Sequence, residues 1–176
     1  MRKLLTSLKN LNSLNKKKYK VIIYTDGSSI GNPGPGGFGI VLIAAGRRKE
    51  IAKGYRLTTN NRMELLSVII ALEALKYDNC EVTIYSDSKY VVDAVGKGWV
   101  FSWEKKYFKK KENSDLWKRF LKIYPKHKIK FKWIKGHADN RENERCDFLA
   151  NQAAKTGNLC VDEYYEAKNK DQNKLF

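Results

Sequence analysis

The sequence is poor in the residues that build soft-metal sites and covalent cross-links. Its three cysteines, Cys80, Cys146 and Cys160, are scattered without a CxxC pair, and there are two histidines. Neither a zinc site nor a disulfide framework is expected, and a reducing, cytoplasmic setting is. No apolar run approaches the roughly 20 residues that cross a bilayer, and the start of the chain has no secretory hydrophobic stretch, so no membrane partner is expected. Acids are scarce too: 19 Asp and Glu face 35 Lys and Arg, for a net charge of +16 at pH 7. The excess is local. Residues 97–135 carry 14 basic residues against three acids, and residues 1–20 carry seven against none. A polyanion is the partner that this pattern fits.

The 176 residues suit one domain with a real core plus tails. The chain is organised around residues 21–43, two β-type runs with Asp26 where the first one closes. Gly27, Ser28 and Ser29 follow, then a turn rich in Gly and Pro that carries Asn32. This leaves the carboxylate beside an open turn, although an Asp-Gly pair is ordinarily no more than a turn. Gly34, Gly36 and Gly39 match a dinucleotide fingerprint, but that fingerprint must open a helix. Residues 38–44 are β-branched and aromatic, so a hairpin is expected instead.

A third strand is expected over 50–58, and a helix opens at Asn60 and Asn61. Leu65, Val68, Ile69, Leu72 and Leu75 recur at helical spacing as a buried stripe. Glu64 lies three residues past Asn61, where a capping-box acid would sit. A strand over 81–85 closes in Ser86-Asp87-Ser88, and Asp87 is placed to cap the helix that follows. Residues 97–113 interleave Trp99, Phe101, Trp103, Tyr107 and Phe108 with Lys105, Lys106, Lys109, Lys110 and Lys111. Lysines neutralise phosphates and exposed aromatic faces pack on sugars or bases, so a nucleic-acid-binding protrusion is expected. The alternative is that the aromatics are tucked into the core with lysines outside.

A helix over 115–124 ends at Pro125, and residues 128–134 alternate as a strand with lysines on one face. A polar loop then carries His137, whose ordinary pKa suits proton transfer near neutrality. The last helix starts near Asn140, with Cys146, Leu149, Ala150 and Ala153 as its buried stripe. Asp147 flanks that stripe two turns in, where neither capping nor the helix dipole accounts for an acid. From Gly157 a polar tail is expected. The division is thus a basic extension over 1–18, a domain over 19–156 and a tail over 157–176.

Taken alone, Asp26, Glu64 and Asp87 each have an ordinary structural explanation, and Asp147 is the least explained of the four. A single α/β domain that brought Asp26, Glu64, Asp87 and Asp147 to one edge would create a repelling cluster needing a cation, and all-oxygen ligands select Mg²⁺ or Mn²⁺.

The blocks YTDGSSIGNPGPGG, TTNNRMEL, IYSDSKYVVDA and KGHADNRENERCDFLA occur here in the order and approximate spacing of ribonuclease HI, and residues 19–156 closely resemble that family. The resemblance implies a five-stranded mixed sheet, strand two antiparallel, with helices on both faces. It implies an endoribonuclease that cuts the RNA strand of RNA/DNA hybrids with two Mg²⁺ ions, Mn²⁺ substituting, and leaves 5′-phosphate and 3′-hydroxyl ends. Removal of RNA primers and R-loops in replication and repair is the implied role, and a monomer the expected state. Asp26, Glu64, Asp87 and Asp147 match the metal-binding tetrad, and His137 matches the mobile proton carrier. Asn32, Asn60 and Glu64 match contacts to RNA 2′-hydroxyls, which separate RNA from DNA. Thr59 and Asn113 match residues holding a DNA phosphate, Trp99 and Trp103 those along the DNA sugars, and the lysine window the basic protrusion. Two positions depart: Leu57 stands where the family often has Arg, and Lys89 where Gln is usual. Two other classes share part of this pattern. A non-catalytic hybrid-binding module would keep the protrusion but lose an acid, and an integrase-like DNA-cutting core would keep the carboxylates without TTNNRMEL.

Overall fold

The computed structural model describes residues 19–136 and 140–173. Five strands, β1 (Lys20–Ser29), β2 (Gly34–Ala44), β3 (Arg47–Thr58), β4 (Glu81–Ser86) and β5 (Lys128–Trp133), form one open sheet in the order β3-β2-β1-β4-β5. β2 runs antiparallel to β1 and β3, while β1, β4 and β5 are parallel. The helices are α1 (Asn60–Glu73), α2 (Lys89–Gly96), α3 (Trp99–Lys105), α4 (Ser114–Ile123), α5 (Arg141–Lys155) and α6 (Glu163–Asn173). This is the α/β mixed sheet with an antiparallel second strand that the sequence motifs imply.

Period-two alternation sorts β1 between two layers. Val21, Ile23, Thr25 and Gly27 are buried on one face, and Ile23 pairs with Leu42 on β2 and Ile84 on β4. α1 covers that face, adding Met63, Leu65, Leu66, Val68, Ile69 and Leu72 to the core. Each such side chain contributes about 1.5–3 kcal/mol when fully buried, so this layer fixes the register of β1. On the other face α5 lies on nearly bare backbone. A Cβ added to Gly39 would stand 2.1 Å from the Cys146 carbonyl oxygen, so only glycine allows that approach. Gly39 pairs directly with Asp26, so the same contact brings α5 to the site of the first acid.

Two expectations are corrected. β3 begins at Arg47 rather than residue 50, extended along the sheet edge by charged residues that pair with Ala44, Ile43 and Leu42. The segment from Gly157 is not a free polar tail. Cys160 forms a bridge to Tyr55, with its N–H donating to the Gly54 carbonyl at 2.9 Å and its carbonyl accepting from the Arg56 N–H at 2.9 Å. α6 then docks through Asp162, buried against Arg62, and Glu166, paired with Arg56 at 2.7 Å. The basic extension at 1–18 lies outside the described residues. No helix among those described is long and apolar enough to cross a membrane.

Candidate active site

The four acids arrive from four elements at the C-terminal edge of the central parallel strands. The β1–β4 register, Tyr24 opposite Tyr85, aligns Asp26 with Asp87 two residues further along. Gly27 presses against the α1 backbone at Met63 and Glu64, which sets Glu64 beside the end of β1. Asp147 comes from α5.

The local alternatives for two of the acids do not hold in three dimensions. The cap of α1 is Thr59, whose Oγ1 accepts from the Arg62 N–H, and the Glu64 carboxylate accepts from the Ser88 hydroxyl instead of reaching back. The cap of α2 is Ser88, which accepts from the Val91 N–H at 3.3 Å, so Asp87 is not spent as a cap. Asp147 accepts from Asn151 Nδ2 at 2.8 Å, and Asn151 Oδ1 in turn accepts from the Ser28 hydroxyl at 3.2 Å. Ser88 and Asn151 are orienting residues that the sequence motifs alone do not single out. The signal for Asn151 is its place as the i+4 partner of Asp147 on one helix face, and for Ser88 its hydroxyl directly after Asp87.

Electrostatics register the convergence. Burial, then the negative charge of Asp87, and more weakly of Asp147 and Glu64, push the Asp26 carboxyl up to about 8, against one lowering hydrogen bond from the Gly27 N–H. Burial and Asp87 also raise Glu64, opposed by the Ser88 hydroxyl. Such a cluster costs stability and suits a cation. Its ligand atoms are all carboxylate oxygens, the hard donors that fit Mg²⁺ or Mn²⁺. Among the described residues no three of these groups already close on a metal-sized cage. Asp26→Asn is therefore expected to stabilise the metal-free protein by about 1–2 kcal/mol in a thermal melt above pH 8. The sign follows from linkage: a raised folded-state pKa makes the fold hold the proton more tightly, so metal-free stability falls as pH rises from 3.8 toward about 8. An unchanged or lower melting temperature for the variant would contradict the repelling cluster.

The remaining candidates spread along one side of this edge. Asn32 Oδ1 accepts from the Asn60 N–H at 3.2 Å, and Asn60 Oδ1 accepts from the Ser29 N–H at 2.6 Å, tying the β1 turn to the start of α1. Thr59 is half-buried beside them. Asn113 is buried, with Oδ1 accepting from Arg62 at 3.3 Å and Nδ2 donating to the Tyr90 hydroxyl at 3.1 Å, so its side chain is already engaged. Lys89 lies over the Trp133 ring at 5.2 Å. In the basic window the two readings divide. Trp99 and Tyr107 are 45% and 90% exposed and Lys105, Lys106, Lys109, Lys110 and Lys111 face solvent. Phe108 is buried, Phe101 packs on Tyr124 and Trp103 on Trp117. Arg56 does not stand in for Leu57, because Glu166 holds it. His137 lies outside the described residues, though Gly136 does not: a Cβ there would be 2.7 Å from Asp87 Oδ2.

The RNase H family profile matches residues 18–155. The chain belongs to the ribonuclease H family. It is 52% identical over 151 residues to the ribonuclease H of Syntrophus aciditrophicus, covering 83% of this chain and 87% of the relative. With the ribonuclease H of Rippkaea orientalis it shares 49% over 160 residues, covering 88% and 98%. Among solved structures, LC9-RNase H1, a type 1 RNase H with the type 2 active-site motif, superposes with a TM-score of 0.73 at 32% identity, covering 86% of this chain and 82% of that one. LC11-RNase H1 in complex with an RNA/DNA hybrid superposes at 0.57 and 30% identity, covering 76% and 96%. Ribonucleases H are hydrolytic, metal-dependent nucleases, and the chain is one of these enzymes.

Proposed function

We propose that Asp26, Glu64, Asp87 and Asp147 hold two divalent ions, Mg²⁺ with Mn²⁺ as substitute, for hydrolysis of the RNA strand of RNA/DNA hybrids. The observation that carries this is the convergence of four carboxylates at one sheet edge, seen in the Asp26 carboxyl pushed up to about 8. When bound, a metal pair activates a water and stabilises the leaving oxygen of an in-line phosphodiester displacement. The chain's own groups do the rest. Ser88 and Asn151 hold the Glu64 and Asp147 carboxylates in fixed orientations. Asn32, Asn60 and Glu64 line the edge where RNA 2′-hydroxyls would be read, and Lys89 offers a charge to the same strand. His137, the residue after Gly136, carries the proton to the departing 3′-oxygen, giving 5′-phosphate and 3′-hydroxyl ends.

The DNA strand lies across Thr59, the Asn113 main chain and the protrusion. Exposed Trp99 and the rim of Trp103 meet its sugars, with Lys105 and Lys106 on its phosphates. That LC11-RNase H1 was solved in complex with an RNA/DNA hybrid supports a hybrid as the ligand. Replacing Lys105, Lys106, Lys109, Lys110 and Lys111 with Ala should weaken hybrid binding and flatten its dependence on salt by about 0.9 in log–log slope for each phosphate no longer neutralised. An unaltered slope in a fluorescence titration would remove the protrusion from the interface.

The reading extends to a cytoplasmic monomer that clears primers and R-loops, and light scattering checks the monomer. The deciding experiment offers labelled RNA/DNA, RNA/RNA and DNA/DNA duplexes with Mg²⁺ or with chelator. Metal-dependent cutting of the hybrid's RNA strand alone is the expected result. Binding without cutting would make the chain a recognition module, and cutting of DNA would move it to the integrase-like class.

A further inference from the structure

The face of the sheet that α5 leaves open carries a second basic and aromatic surface, apart from the protrusion. Strand register sets its residues in rows: Tyr24, Tyr85 and Lys132, then Ile22, Thr83 and Lys130, then Lys20, Glu81 and Lys128. Tyr24 and Tyr85 are stacked with centroids 4.8 Å apart, and Lys132 Nζ lies 5.3 Å over the Tyr85 ring and 3.3 Å from its hydroxyl. Lys128 and Lys130 are exposed, and among the described residues neither has a charged partner. Beside the upper end of the rows, Trp133 donates from Nε1 to the Asp87 carbonyl at 3.0 Å, and the Ile134 N–H donates to the Ser86 carbonyl at 3.1 Å. The surface thus begins at the turn that carries Asp87.

We propose that this face binds single-stranded nucleic acid, taking up a single-stranded RNA tail continuous with the strand being cut. The inference rests on the hybrid-cutting reading above. Alternate residues of β5 stand about 6.6 Å apart, a repeat comparable to the step between phosphates of an extended strand. Lys132, Lys130 and Lys128 therefore meet successive phosphates of one strand and release its counterions. The stacked Tyr24 and Tyr85 offer an aromatic surface for stacking, which requires bases that are not already stacked inside a duplex. That requirement selects a single strand over the hybrid itself. Glu81, between Lys20 and Lys128, marks the far limit of the surface. β5 is also an edge strand, and lysines on an edge discourage pairing with another chain. Guarding an edge needs charge of either sign, however, and gives no role to the tyrosine pair.

The test measures affinity, in chelator so that nothing is cut, for a blunt hybrid and for hybrids whose RNA extends at its 5′ or its 3′ end by about ten unpaired nucleotides. Wild-type protein should bind one tailed hybrid about tenfold more tightly than the blunt one. The K128E/K130E/K132E variant keeps a charged edge and should cut the blunt hybrid at the wild-type rate while losing the tail's contribution. Tyr85→Ser should lose part of it. No gain from either tail, a gain that survives charge reversal, or equal competition by poly-glutamate would each overturn the proposal. Failure of the underlying reading looks different, since wild type with Mg²⁺ would then leave the RNA strand of the blunt hybrid uncut, whether or not it bound it.

Discussion

Asp87→Asn should abolish cleavage while the protein folds normally and still binds the hybrid. The substitution keeps the volume and removes the charge at the position most tightly coupled to Asp26, whose carboxyl Asp87 raises more than Asp147 or Glu64 does. Asp87 has no competing structural duty as a cap, because Ser88 performs that role for α2. A metal clamp is worth several kcal/mol of transition-state stabilisation, and each 1.36 kcal/mol is tenfold in rate, so a loss of about 10³-fold or more is expected. Single-turnover cleavage of a labelled hybrid, beside a binding titration in chelator, separates chemistry from recognition. A variant that cuts at the wild-type rate would remove Asp87 from the metal site. One that loses both binding and cutting would instead indicate damage to the α2 turn, which circular dichroism would reveal.

The four acids are legible in the sequence because each closes or flanks an element recognisable from its period, and an α/β order leaves few places for such ends to meet. What sequence distance conceals is how they are held. The capping-box spacing from Asn61 to Glu64 is a real pattern, but the cap lies two residues earlier, at Thr59, leaving Glu64 free to accept from Ser88. The aromatic window reads as exposed, and the fold divides it. Trp103 and Phe101 find Trp117 and Tyr124 on α4 and the turn after it, partners that no local pattern announces. The C-terminal segment shows the same limit more sharply. Residues 157–173 have almost no apolar periodicity, because what docks them is backbone pairing at Cys160 and ion pairs to Arg56 and Arg62, about a hundred residues away. Arg62 itself draws no attention inside TTNNRMEL, since a single arginine in a helix is ordinarily solvated.

Arg62→Ala should therefore be among the most destabilising single changes in the protein. The residue is 2% exposed. Its Nε and Nη2 donate to Asp162 at 2.7 and 2.8 Å, and Nη1 and Nη2 donate to Asp115 at 2.9 Å each. Burial alone would ease the proton off the guanidinium, but the hydrogen bonds and charges of Asp115 and Asp162 outweigh it and hold Arg62 more firmly protonated than usual. Truncation leaves both carboxylates facing each other without a cation, and breaking a buried pair in this way costs about 3–5 kcal/mol. Against a total of roughly 5–15 kcal/mol for a domain, that is a large fraction. The loss should appear as a lowered urea midpoint and as faster proteolysis between Gly157 and α6, because Asp162 is the anchor of that segment. Replacing Arg62, Asp115 and Asp162 together by apolar residues of similar size should recover much of the stability, since no charge is then left buried alone. Hybrid affinity should not recover with it: Arg62 also donates to Asn113, so the triple variant would fold yet hold the DNA strand less well. A single variant within about 1 kcal/mol of wild type would show that solvent reaches the two carboxylates and that the network is not what fastens the C-terminal helix.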